Sequence, residues 1–553
     1  MNDSIILTNK NNMKDIITFA QRALCTVAVC VLAHVSAMAQ NPYLPLWEYI
    51  PDGEPYVFDD PDVPGKKRVY VYGSHDSRIK DYCGLELVTW SASLDSLDKW
   101  RYDGVIFESK KDAKGNYLHA DKRGDVLFAP DVMEVKGNDG KKTYYLYPNN
   151  QEGGRNGMVA RSDRPDGPFE VVNWSKGKSA ETDGVLRFDP AVFIDDDGRV
   201  YGYWGFKEPF VAELDPSTMA TVKPGTEVKQ NYINGYESPG EFRFFEASSI
   251  RKIKDKYVLI YSRFTADGEF GLPMSNYTLA YAYASSPMGP YTYGGTIIDG
   301  RGREVNDHGV TVFTATPDGN THGSICEING QWWVFYHRQC GLDEYSRQAM
   351  VAPVEVDVTE GADGKVVISE GEYTSEGFMI KGLNPFRHYS AGIACYYTGV
   401  KPGKHEWPKH FHYGSYVKPL RLNGVPEGDV YDLSVNTNPV VNNTDGSVVG
   451  YKYFNLDNTY DVQNVHLCMT VVPEGQDGAI DIYIDRPSAE GGGVKVGSVA
   501  LRSSMPKTKT SLMADVSKVS RFKGKHALFF VIHATEKDKS LCEIHDFVFT
   551  NSN

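Results

Sequence analysis

One pattern, repeated five times, limits the fold of this chain more than any other feature. Each copy begins with a polar residue at the head of a short segment, passes through a Gly/Asp/Lys turn and continues into an aromatic-rich strand. The heads lie in PDGEPYVF (51–58), APDVMEV (129–135), FDPAVFI (188–194), FEASSIRKI (245–253) and HGSICEI (322–328). The strands that answer them are RVYVYGS, TYYLYPN, RVYGYWG, YVLIYSR and WWVFYHR. Counted from Asp52 to Tyr72, Asp131 to Tyr147, Asp189 to Tyr203, Glu246 to Tyr261 and His322 to Tyr336, the gaps are 20, 16, 14, 15 and 14 residues. A second element recurs as well: ARSDRPDGPFE (160–170) and AYASSPMGPYTY (282–293) share a proline and a Gly-Pro-aromatic turn.

A supersecondary unit recurring at such intervals, with no sustained helical periodicity, predicts radially packed antiparallel blades. The predicted fold class is therefore all-β, a five-bladed β-propeller in its first two thirds. The inner strand of each blade lines the central channel, so the five heads should converge although they lie up to 270 residues apart. Four are carboxylates and the fifth is a histidine. Acidic residues in unrelated turns have no reason to share one position of a repeat. By the same comparison Asp195, Asp196 and Asp197 fall in the hairpin turn rather than at the head occupied by Asp189.

With 553 residues the chain exceeds one core, and its character changes after residue 395. Seven of eight tryptophans precede that point, and a Pro/Gly/Lys/His-rich stretch, TGVKPGKHEWPKHFHYGS, follows it. Short alternating strands with turns at Gln476-Asp477-Gly478 and Gly491-Gly492-Gly493 then predict a β-sandwich of jelly-roll type. The N-terminal run ALCTVAVCVLAHVSAMAQ ends in Ala37-Met38-Ala39, the small-x-small pattern of a signal-peptidase site, and is too short for a membrane span. The expected division is thus a signal peptide (1–39), a propeller (40–395), a connector (396–415) and a sandwich (416–553), in a protein that is periplasmic or secreted after cleavage near Ala39. The six remaining cysteines are scattered without a CxxC, which indicates neither a zinc site nor a disulfide framework. A net charge of −14 without a basic cluster argues against nucleic-acid partners.

The ordered motifs YIPDGEPYVF, FAPDVMEV, FDPAVFIDDDG, FFEASSIRKIKDKYVLIYS and THGSICEINGQWWVFYHR resemble glycoside hydrolase family 43, over about residues 41–395. That resemblance implies a five-bladed propeller that removes arabinose or xylose from plant polysaccharides. It assigns Asp52 as general base, Glu246 as general acid and Asp189 as the residue that orients and tunes the acid. It also implies sugar contacts from Asp131 and from Arg347 in EYSRQAM, and places His322 beside a calcium or other ion in the channel. Many members read Asp-Pro-Ser at the first head, whereas this chain reads Asp52-Gly53-Glu54-Pro55, which leaves Glu54 as a second candidate base. Trp204, Phe206 and Tyr236 are candidate stacking aromatics, with Trp204 named as a substrate contact. The stretch GAIDIYIDRP and the final GKHALFFVI resemble a family 6-like carbohydrate-binding module, whose relatives often hold a structural calcium.

The chemistry asks for these residue types. Cleaving a glycosidic bond needs one protonated acid on the leaving oxygen and one ionised carboxylate that activates water or attacks carbon. Apolar neighbours Phe244 and Phe245 and a nearby Asp189 would raise the pKa of Glu246, as an acid working at neutral pH requires. No cofactor is needed for that reaction. The expected activity is an exo-acting, inverting release of α-L-arabinofuranose or β-D-xylose from plant cell-wall oligosaccharides or polysaccharides. Action on galactose-containing glycans, or a propeller that binds glycans without cleaving them, are the alternatives.

Overall fold

The structure, a computed structural model, describes residues 40–551 except 112–114, 119–120, 152–154, 177–180, 316–318, 398–400, 403–410 and 413. The expected signal segment 1–39 and most of the expected connector lie outside these residues. Strands dominate, helical structure among the described residues is limited to short 3₁₀ turns, and none is long and apolar enough to cross a membrane.

Five antiparallel sheets follow one another along the chain. Blade one comprises Glu54–Asp59, Lys67–Tyr72, Glu86–Ser93 and Trp100–Glu108; blade two comprises Asp131–Lys136, Lys142–Tyr147, Ala160–Ser162 and Glu170–Val171. Blade three comprises Ala191–Ile194, Val200–Trp204, Phe210–Leu214 and Lys229–Gln230; blade four comprises Phe244–Ile253, Lys256–Arg263, Thr278–Ala284 and Thr292–Asp299. Blade five has three strands, Ser324–Ile328, Gln331–Gln339 and Arg347–Val354. Its free edge is taken by residues 41–43: Asn41 Nδ2 donates to the Val351 carbonyl at 2.6 Å and Tyr43 N–H to the Ala349 carbonyl at 3.2 Å. The ring is thereby closed without a further strand.

The second strands are aromatic because they are buried on both faces. Val69 and Val71 pack with Trp333 and Phe335 of blade five, while Tyr70 and Tyr72 pack with Val132 and Leu146 of blade two. The same two-residue alternation fills the seams between blades two and three, three and four, and four and five. Tyr72, Tyr147 and Tyr203 face the following blade, whereas Tyr261 and Tyr336 face the preceding one. The five tyrosines therefore do not all share one register.

Two further sheets pack face to face beyond the propeller. One orders Tyr416–Val417, Val440–Val441, Cys542–Asn551, Val465–Pro473 and Thr510–Asp515, the other Tyr396–Tyr397, Val448–Asn455, Lys525–Ala534, Gly478–Ile484 and Val494–Leu501. Tyr389–Ser390 also pairs with Cys542–Asn551, so pairing into this sandwich starts well before residue 416. Its core takes in Leu46, Tyr49 and Cys340 from the propeller side, which makes the hydrophobic interior continuous across the two bodies. The six cysteines among the described residues are all buried and free.

Candidate active site

A cavity of about 350 Å³ opens where the inner strands begin, and each blade contributes one residue to its floor: Asp52, Ala129, Asp189, Glu246 and His322. Register explains this set. Glu54 pairs with Tyr72, Asp131 with Tyr147 and Ala191 with Tyr203. Asp52, Ala129 and Asp189 each stand two residues ahead of that pair, on the same strand face but one layer nearer the opening.

Asp52 sits at φ 61°, in the left-handed region that a non-glycine residue occupies only when its surroundings hold it there. The hold is visible. Ser74 Oγ donates to Oδ2 at 2.5 Å, and Arg347 Nη1 donates to Oδ1 and Oδ2 at 3.1 and 3.2 Å. Its N–H donates to His337 Nδ1 at 3.2 Å, which fixes that imidazole as the neutral tautomer with Nε2 donating to the Asn320 carbonyl at 2.8 Å. Burial pushes His337 down to about 4. For Asp52, burial is the largest single effect and acts to raise the pKa, but the Arg347 guanidinium, the neighbouring histidines and the Ser74 hydroxyl together outweigh it and hold the carboxyl below its ordinary value. Arg347 is itself anchored, donating from Nε to Asp76 Oδ2 at 2.9 Å and from Nη2 to Asp76 Oδ1 at 2.8 Å.

Glu246 has the opposite surroundings. No described side chain or N–H is bonded to its carboxyl, which faces the cavity beside Phe188, Phe206 and Phe245. Burial raises its pKa well above the ordinary carboxylate value, and the Asp189 and Asp52 carboxylates push it the same way. A local irregularity aims it: the strand slips register on both sides of Glu246, and Ala247 takes φ 66°. Asp189 Oδ2 accepts the Ala247 N–H at 3.1 Å, so one carboxylate holds the backbone bulge and adds to the field on Glu246. Asn149 Nδ2 donates to Asp189 Oδ1 at 2.9 Å, and burial pushes Asp189 up to about 6.

Three expectations need correction. Asp131 does not line the cavity. It lies in Glu54's deeper layer, accepting Tyr56 Oη at 2.6 Å, the Val192 N–H at 2.7 Å and the Val132 N–H at 2.8 Å. Its two oxygens tie blade one to blade three instead of meeting a sugar. Trp204 is in the seam between blades two and three, stacked on Phe210 at 5.6 Å, so its ring faces core. Phe206, 43% exposed, lines the cavity in its place, flanked by Phe188 at 5.0 Å and Phe245 at 5.1 Å; Tyr236 packs behind on Phe245. The third concerns the ion expected at His322. A calcium site needs six to eight oxygen ligands, whereas His322 has Glu54 Oε1 at 3.7 Å and Asp189 Oδ2 at 4.0 Å, and Arg251 and Ser249 already occupy Glu54 Oε2. Among the described residues no group of three or more His, Cys, Asp or Glu side chains is arranged to hold a metal ion. The channel donors do not fit a protein-built calcium cage.

Glu54 is likewise out of the cavity and paired with Arg251 at 2.9 Å. Sequence reading missed Ser74 and Asn149, although each stands two residues beyond the aligned tyrosine, Tyr72 and Tyr147. That shared offset is a legible signal. Asp76, Asn320 and His337 have no comparable one, because they reach Asp52 and Arg347 only through ring closure.

The sequence profile of glycosyl hydrolases family 43 matches residues 55–361, which include Asp189, Glu246, His322 and Arg347 and begin just after Asp52. A xylosidase/arabinosidase of Thermoclostridium stercorarium is 35% identical over 377 residues, 64% of this chain and 71% of that protein. An arabinoxylan arabinofuranohydrolase of Paenibacillus polymyxa is 26% identical over 363 residues, 63% of this chain and 53% of its own length. A family 43 arabinoxylan arabinofuranohydrolase structure from Bacillus subtilis, in complex with cellotetraose, aligns over 93% of this chain and 97% of its own at 22% identity and a TM-score of 0.42. With more than half of its length matched by the profile, this chain is a member of glycosyl hydrolases family 43, a glycosidase.

Proposed function

We propose that the protein is an exported, exo-acting, inverting glycosidase that removes terminal α-L-arabinofuranose, or β-D-xylose, from plant polysaccharide side chains. One observation carries the reading: two carboxyls facing one cavity have surroundings that drive their pKa values apart, Asp52 down and Glu246 up. Asp52 is the base, ionised and aimed. It takes a proton from a water that attacks the anomeric carbon, while the bond to the leaving oxygen breaks and Glu246 protonates that oxygen. Asp189 holds the Glu246 bulge and keeps the acid protonated by its charge. Glu54, outside the cavity and bound by Arg251, is a poor base.

Exo action is supported by the cavity volume, at the low end of the roughly 300–1,000 Å³ of ligand sites. The pentose preference is supported by the names of the relatives over the galactose alternative. Two carboxyls in complementary states argue against a propeller that only binds glycan. The export signal (1–39) and glycan binding by the sandwich are parts of the same proposal. A screen of arabinofuranosides, xylosides and galactosides, with proton NMR of the first-formed anomer, tests substrate and stereochemistry. Glu246→Gln should lower turnover about 10²–10⁴-fold on an oligosaccharide, and less on a 4-nitrophenyl glycoside whose leaving group needs little proton transfer. Asp52→Asn should be inactive on both. A first-formed product of retained configuration, or an active Asp52→Asn, would overturn the assignment.

A further inference from the structure

The general base has an anchor in the other domain. Arg421 lies in the C-terminal sandwich, four residues beyond the strand Tyr416–Val417, yet its guanidinium reaches into the propeller. Nη1 donates to the Asp76 carbonyl; Nη2 donates to the Tyr345 carbonyl and, at 3.0 Å, to Ser346 Oγ. The first acceptor belongs to the residue whose carboxylate grips Arg347, and the other two immediately precede Arg347 in the chain. Arg347 in turn holds both oxygens of Asp52. Asp76 follows the second strand of blade one, and Tyr345 and Ser346 lead into the last strand of blade five. The Arg421 fork therefore spans the seam where the propeller ring closes, which is the seam that carries the base.

The reach is built, not incidental. The Arg421 guanidinium lies 4.6 Å over the Tyr49 ring, whose Oη donates to the Leu420 carbonyl at 2.9 Å, and the Gly341 N–H donates to the Val417 carbonyl at 2.9 Å. Tyr49 N–H and carbonyl lie three residues ahead of Asp52, and its carbonyl accepts the Asp76 N–H at 3.0 Å. Arg421 does not line the cavity.

We propose that Arg421 is a positioning residue for the general base: by stapling the Asp76 and Arg347 loops together it keeps the guanidinium seated on Asp52, so that the sandwich domain is required for base function in the propeller. The inference rests on the reading of Asp52 as the base. A planar fork can bind acceptors on two loops at once and an ammonium cannot, which makes Arg421→Lys as informative as Arg421→Ala.

The test is the pH dependence of kcat/KM for both variants of the full-length protein on an aryl glycoside. Loosening Arg347 should let the Asp52 pKa rise, moving the acidic limb to higher pH while the alkaline limb, set by Glu246, stays in place. Turnover should fall about tenfold in Arg421→Ala with KM near that of the parent, and Arg421→Lys should show a smaller shift in the same direction. Lys418→Ala, three residues away, should leave profile and turnover unchanged. A loss of stability alone would scale activity equally at every pH, so an unmoved acidic limb in Arg421→Ala overturns the proposal even if the melting temperature drops. A shift in Arg421→Ala with none in Arg421→Lys also overturns it, since charge and not the staple would then be responsible. Activity retained in Asp52→Asn would instead remove the base assignment beneath it.

Discussion

Asp52 and Glu246 carry the same functional group, and their neighbours separate them. Ser74 Oγ and Arg347 Nη1 donate to the Asp52 carboxylate and its own N–H donates to His337 Nδ1, while Glu246 has apolar rings and two carboxylates for company. The activity of kcat/KM with pH should accordingly be bell-shaped and wide, with its acidic limb below the ordinary carboxylate range and its alkaline limb above it. Stability carries the same signature. The folded pKa of Glu246 is raised, so its contribution is present below the unfolded value and is lost as pH rises through the folded one. Glu246→Gln escapes that loss, and its melting temperature relative to the parent should climb from acid to alkaline pH. A difference that is constant with pH, measured by calorimetry across that range, would contradict the raised pKa.

At the scale of strands, a two-residue step decides whether a head residue does chemistry or holds the ring together. The repeat in the sequence made Asp131 equivalent to Asp52 and Asp189, yet pairing places it beside Glu54 in the deeper layer, with Ala129 facing the cavity. Turn lengths between paired strands vary from blade to blade, and nothing local in the sequence reports them; a shift of two keeps the strand face and changes only the depth. A structural Asp131 predicts that Asp131→Ala costs about 1–3 kcal/mol of stability, because the buried Val192 N–H loses its acceptor. KM for the parent substrate should be unchanged. A rise in KM at constant melting temperature would return Asp131 to the sugar. The approach to Asp52 depends on a missing side chain as well: a Cβ on Gly73 would sit 2.2 Å from the Pro51 carbonyl oxygen, so that turn tolerates only glycine.

For the whole molecule, the propeller and the sandwich share more than a tether. Leu46 and Tyr49, on the segment that leads into Asp52, are part of the sandwich core, and the Leu46 N–H donates to Asn436 Oδ1 at 2.5 Å. Residues 41–43 also complete the edge of blade five. One segment of about ten residues therefore closes the ring, enters the second core and leads into Asp52. Calorimetry of the full chain should show a single cooperative transition, and deletion of residues 384–553 should give a chain that does not fold to an active propeller. Two separate transitions, or an active truncated form, would show the two bodies to be independent.

By itself the sequence determined the strand-rich class, the five repeats, the sandwich that follows, and the presence of Asp52, Asp189, Glu246 and Arg347 around one site. Those properties rest on local alternation and on repetition, which a linear chain displays directly. Only the tertiary structure decided which carboxylate faces the cavity and which is spent on blade-to-blade ties, why Trp204 is core while Phe206 is wall, and that Arg421 bonds both the Asp76 carbonyl and the residues preceding Arg347. Each of those depends on strand register or on contacts between residues hundreds of positions apart, and register is set by turns and ring closure rather than by the identity of the residues it brings together.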